Sequence, residues 1–142
     1  MTTRSPAAKA FIVKNKKLLL VKRADDDVEH PSSWELPGGR IEVGEKLEDG
    51  LKREVKEETN LEIEILRPLC KRKFTRVDGQ KIEMTSFVCT TKNDIVTLSK
   101  EHTEYKWLTL KEAEKIINSY FLDEIKEYQK STNWFVIQKV IP

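Results

Sequence analysis

Residues 53–58 read Arg-Glu-Val-Lys-Glu-Glu, and three carboxylates so closely spaced raise the question of what cation they serve. Wound as a helix from near Lys46 at about 100° per residue, Leu47, Leu51 and Val55 fall along one side as an ordinary core stripe. Glu58 lies almost directly below Leu51, where the next Leu of that stripe is expected. Glu54 is about 60° to one side of this line and Glu57 about 60° beyond Glu54. Like charges at i, i+3 and i+4 repel by roughly 0.2–0.5 kcal/mol per exposed pair, and by more once desolvated. Lys56 points away from this face and Arg53 offers one guanidinium, so a further positive charge is expected. A hard divalent cation such as magnesium suits the position, because it takes carboxylate oxygens and keeps several waters for a phosphate-bearing substrate. An acid-rich helix in a chain that is 35% charged is equally a solvated face laced with Glu–Lys pairs. The helix alone does not choose between the two.

The flanking residues favour the metal. Gly39, Glu45, Arg53, Glu54, Val55, Glu57, Glu58 and Leu61 stand at the spacing of the Nudix box. That pattern runs Gly, five residues, Glu, seven residues, then Arg-Glu-aliphatic-any-Glu-Glu-any-Gly-aliphatic. The chain resembles the Nudix hydrolases, and one position departs: Asn60 replaces the glycine that ends the box helix. Asn is the residue next most tolerant of the left-handed conformation required there. The preceding Trp34-Glu35-Leu36-Pro37-Gly38-Gly39 is similar to the approach segment of MutT-like members.

The resemblance implies an α/β Nudix fold, with a mixed β-sheet sandwiched between α-helices (α/β/α) and the box as a loop–helix–loop. It implies Mg2+ (with Mn2+ as a substitute) held by Glu54, Glu57, Glu58 and the carbonyl of Gly38, with Arg53 orienting the carboxylates and Glu45 supporting them. It implies hydrolysis of a nucleoside diphosphate linked to another moiety. The first expectation is a nucleoside triphosphate, oxidised or not, cut to the monophosphate and pyrophosphate; ADP-ribose or a nucleotide sugar comes second. A nucleotide-sensing module without turnover is the rival from another class. A loop Glu ahead of the second helix reaches back to the metal in this family. Glu101, six residues before Trp107, is the first candidate for that ligand or general base, and Glu104 is its competitor. Arg23 matches the basic pair that meets substrate phosphate in MutT-like members, although a solvated strand end reads the same way. Gly39 is the expected close approach of backbone to substrate.

Bulk properties narrow the rest. A chain of 142 residues suits one domain spanning 1–142 with a sizeable core. A net charge of +2 is no nucleic-acid footprint, and no apolar run approaches the roughly 18 residues of a membrane span. Lys14 and Lys16 precede any signal-like core, so a cytoplasmic location is expected. Cys70 and Cys89 are isolated, and zinc is not expected.

Strands are expected at 8–13 and 17–23 with a turn at Asn15, followed by a polar loop over 24–33. Beyond the box, one strand runs to about Leu66, breaks, and resumes at Leu69. A turn through Asp78-Gly79 then leads to a return strand over 81–91. On that strand Ile82, Met84, Ser86 and Val88 share one face, and Glu83, Thr85, Phe87 and Cys89 the other. Phe74 and Phe87 are core or base-stacking residues. A short strand at Tyr105–Leu108 precedes a helix from about Leu110 to Asn118. Phe121, Leu122, Ile125 and Tyr128 then recur at helical spacing. The apolar stretch at 134–141 leaves monomer and homodimer both open.

Overall fold

The computed structural model describes residues 4–27 and 30–130. The apolar stretch at 134–141 lies outside them. Strand β1 (Ser5–Lys14) turns through Asn15 and Lys16, both at positive φ, into β2 (Lys17–Arg23). Only the turn end of this hairpin is laddered, at Val13↔Leu18 and Lys14↔Lys17. Beyond it the two strands take different partners. β1 pairs parallel with β6 (Lys81–Thr91) from Ser5↔Ile82 to Ile12↔Cys89, and antiparallel with β4 (Gly38–Arg40). β2 pairs antiparallel with β3 (Trp34–Glu35) and with β7 (His102–Leu108). The 34–40 stretch therefore bridges the gap between the diverging strands, and Ala10 N–H donates to the Pro37 carbonyl at 2.8 Å inside it. Strand β5 (Ile63–Thr75) completes the order β3-β2-β1-β6-β5.

Alternation along β1 sorts the core onto two faces. Ala8, Ala10 and Ile12 pack with Leu51 and Val55 of α1 (Leu47–Thr59), while Ala7 and Phe11 pack with Ala113, Ile117, Phe121 and Ile125. The second group comes from α2 (Leu110–Ile116), Ile117 just after it, a 3-10 turn (Ser119–Phe121) and the helical residues 122–130, here α3. Helices on both faces of a mixed sheet make the α/β/α sandwich that the resemblance implies. Each fully buried Leu or Val on these faces contributes about 1.5–3 kcal/mol.

Two local expectations need correction. β5 does not break at Pro68: it is one strand whose register shifts between Ile65 and Arg67 and between Pro68 and Cys70. Proline lacks the ladder donor, and a bulge absorbs that loss without ending the strand. α2 ends at Ile116, and Asn118 instead caps the following 3-10 turn by accepting from Tyr120 N–H. The β6 faces divide as expected, with Ile82 and Met84 in one core cluster and Phe87 and Cys89 in the other. Phe87 is thus core, and Phe74 meets Tyr120 edge-on at 5.2 Å.

Asn60 ends α1 in the left-handed conformation, φ 62°, with its N–H on the Lys56 carbonyl. Asn60→Gly should therefore leave turnover unchanged and raise stability by a few tenths of a kcal/mol to about 1 kcal/mol. Parallel thermal melts and initial rates check both halves.

Candidate active site

Helix α1 carries the acidic residues on the geometry its spacing dictates. Glu58 is 4% exposed, and the side chain of Glu57 is 59% exposed with Glu54 between them at 18%. Glu58 Oε1 accepts the Gly38 N–H at 3.1 Å. Burial pushes its carboxyl up to about 8, with Glu35 and Glu54 adding to the rise while Lys9 and the Gly38 N–H oppose it. Glu54 lies against the neighbouring glycine: a Cβ on Gly39 would sit 2.8 Å from Glu54 Oε2. Two carboxylates thus abut the backbone of residues 38–39, and only a residue without a side chain leaves Glu54 that place.

Arg53 ties the rest together. Its Nε and Nη2 donate to the two oxygens of Glu45 at 2.7 and 3.0 Å. Its Nη1 reaches Glu54 at 3.2 Å and Glu57 at 3.3 Å, and Nη2 also donates to the Arg40 carbonyl. The fork geometry of a guanidinium suits such multiple carboxylate contacts. The bond from Arg53 holds Glu45 at about 2, well below the carboxylate range. Glu45 also accepts the Glu42 N–H at 2.9 Å, closing the turn before α1. Gly50 serves this contact. A Cβ there would meet Ile41 Cδ1 at 2.6 Å and Glu45 Oε1 at 2.7 Å, so its smallness makes room for these two residues and not for a metal or substrate.

The 96–101 loop is fastened to the end of α1: Thr97 N–H donates to the Thr59 carbonyl at 3.0 Å and Ser99 N–H to the Glu58 carbonyl at 3.1 Å. Glu101, two residues on, is exposed, and its carbonyl accepts the Ala24 N–H at 3.0 Å. Glu104 stands within β7, opposite Lys22 in register and ion-paired to it at 3.3 Å. Arg23 ends β2 and pairs with Asp27 at 2.7 Å and with Glu35 at 2.8 Å.

Glu35 anchors a buried charge network that spacing did not disclose. Its carboxylate meets Lys9 Nζ at 3.1 Å, Arg23 Nε at 2.8 Å and His102 Nε2 at 2.9 Å. Lys9 and His102 are themselves 7% and 5% exposed. The signal available was Lys9 at an inward position of an otherwise apolar strand. Burial alone raises the Glu35 carboxyl, but Lys9, His102 and Arg23 outweigh it and hold the group at about 2. Relative to an ordinary 4.5, the depressed value contributes about 3 kcal/mol of folding stability. That contribution is complete above the ordinary value and is lost as pH falls from about 4.5 toward 2. Glu35→Gln should be less stable than the parent above pH 5 by on the order of 3 kcal/mol, and urea titrations should show the gap closing on acidification.

The donor types suit a hard divalent ion: the carboxylates of Glu54, Glu57 and Glu58 and the backbone carbonyl of Gly38 are all oxygen donors. A buried Glu58 beside other carboxylates is the kind of group that such a cation compensates. Among the described residues, no three His, Cys, Asp or Glu side chains converge on a single point as they stand. Glu54 and Glu57 are turned to Arg53 and Glu58 to Gly38. No helix among the described residues is long and apolar enough to cross a membrane.

Comparison with known proteins agrees with this architecture. A family model described as NUDIX domain matches residues 3–131. Nucleoside triphosphatase NudI of Escherichia fergusonii is 35% identical over 101 residues, 63% of this chain and 71% of that protein. The crystal structure of MutT protein from Methanosarcina mazei Go1 superposes with a TM-score of 0.81 at 27% identity, covering 92% of this chain and 96% of that one. A C. elegans Ap4A hydrolase aligns with a TM-score of 0.76 at 24% identity, over 91% of this chain and 98% of its own, a likeness of fold alone.

Proposed function

The chain belongs to the NUDIX family and is a Nudix hydrolase, and from that premise we propose that it hydrolyses nucleoside triphosphates to the monophosphate and pyrophosphate with Mg2+. The observation that carries the reading is the paired placement of Glu54 and Glu58 against the Gly38–Gly39 backbone, with Arg53 bracing Glu54 and Glu57. The identity to a nucleoside triphosphatase supports the substrate class.

In this reading Glu54, Glu57, Glu58 and the Gly38 carbonyl would hold the metal, with Glu101 as a further ligand or the general base. When bound, the ion would supply Lewis-acid polarisation of the phosphoryl oxygens and offset their developing charge. Arg53 does no chemistry on the substrate: it fixes two carboxylates from one side through charge-assisted bonds. Gly39 lets the phosphate chain approach the backbone next to Glu54. Arg23, oriented by Asp27 and Glu35 at the mouth of the 24–33 loop, meets a substrate phosphate. The attacking water gives its proton to a carboxylate. Glu101 suits that role better than Glu104, because Glu104 is engaged by Lys22 on β7 whereas Glu101 sits on the loop fastened to α1.

The test is initial rates with Mg2+ over a panel of nucleoside triphosphates, oxidised dGTP, ADP-ribose and nucleotide sugars. The highest kcat/KM is expected for a triphosphate. Preference for ADP-ribose or a nucleotide sugar would keep the site and overturn the substrate class. Binding without turnover of any compound would make the chain a nucleotide-sensing module.

A further inference from the structure

We propose that Lys9, which the chemistry does not use, is the positioning residue of the metal site; this rests on the reading of the Gly38 carbonyl as a ligand. Lysine is among the residue types least often buried, and stripping water from an ammonium is costly, yet Lys9 is 7% exposed on β1. Its three donors find three acceptors: Glu35 Oε1 at 3.1 Å, the Leu36 carbonyl at 3.1 Å and the Gly38 carbonyl at 3.3 Å. The side chain also lies over the Phe121 ring at 5.8 Å.

All three acceptors belong to the 34–40 stretch, where β1 and β2 have diverged. Lys9 faces Gly38 in register, and the backbone adds Ala10 N–H to Pro37. The carbonyls on either side of Pro37 are thus tied to β1 by the ammonium of Lys9. Gly38 is consequently held from two directions, its carbonyl by Lys9 and its N–H by Glu58 Oε1. One side chain from the opposite face of β1 therefore sets where two members of the metal site stand.

An uncharged donor separates charge from position. The Lys9 charge acts in two opposing ways, repelling a bound cation and favouring the Glu58 carboxylate, and Lys9→Met and Lys9→Gln lose it equally. If Lys9 positions the segment, only the variant that still donates to the carbonyls recovers binding. The experiment is a titration of the full chain with Mn2+ alone, without substrate, followed by the paramagnetic signal of free ion. The variants are Lys9→Met, Lys9→Gln and Ile125→Val, the last as a core control on the face away from α1. Lys9→Met is expected to weaken Mn2+ binding by about tenfold or more. Lys9→Gln should recover part of this, since an amide still donates to carbonyls, and Ile125→Val should bind as the parent does. Unchanged or tighter binding in folded Lys9→Met overturns the proposal, and so does a Lys9→Gln that binds no better than Lys9→Met. Should Lys9→Met not fold, Lys9→Ala takes its place as the variant without a donor, and the same comparison with Lys9→Gln decides. Failure of the parent chain to bind Mn2+ would instead remove the metal reading and this proposal with it.

Discussion

Glu58→Gln should lose roughly three orders of magnitude or more in turnover while melting at or above the temperature of the parent chain. Glu58 is the most buried of the three box carboxylates, and Arg53 contacts Glu54 and Glu57 but not Glu58. Its charge is thus the one the fold compensates least and a bound cation compensates most. Glutamine is nearly isosteric, and its amide oxygen still accepts the Gly38 N–H that Glu58 accepts at 3.1 Å. The substitution removes the burial cost that lifts the Glu58 carboxyl, so the metal-free variant has no reason to lose stability. Thermal melts without metal and single-turnover rates with Mg2+ separate the two effects. Near-parental turnover would place the chemistry elsewhere, and a collapsed melt would make Glu58 a structural carboxylate.

Gly38→Ala should act through the opposite route and unfold or severely destabilise the chain, by about 3–5 kcal/mol. Gly38 has φ +137°, and a Cβ would lie 2.2 Å from the Ala8 carbonyl oxygen and 2.8 Å from Lys9 Cα. Both obstacles are backbone of the central strand, so no rotamer change relieves them. Either β4 leaves β1 or β1 shifts against β6. Chemical denaturation gives the stability loss directly. A Gly38→Ala protein within about 1 kcal/mol of the parent would show that β4 is free to move away from β1, and the site geometry would have to be redrawn.

Much of this was readable because it depends on local spacing. The Leu47, Leu51, Val55 stripe with Glu58 as its continuation fixes which acid is buried, and the helix shows Glu58 covered and Glu57 open. Asn60 in the left-handed region, the Gly79 turn and the two faces of β6 follow from equally local chemistry. The unread parts depend on contacts distant in sequence. Glu35 appears as one letter of an approach segment, and only the register of β2 with β7 and of β1 with β4 brings His102 and Lys9 to it. Nothing in the local spacing marks Gly50 as the space that Ile41 and Glu45 fill. Pro68 resembles a strand end because a bulge needs a partner strand to be recognised.

The most direct test of the central claim is the identity of the product released from a nucleoside triphosphate with Mg2+. Phosphorus NMR of the completed reaction should show nucleoside monophosphate and pyrophosphate in equal amounts, with neither formed by Glu58→Gln over the same interval. Nucleoside diphosphate and orthophosphate would mean cleavage at the terminal phosphate and contradict the reaction assigned to this site.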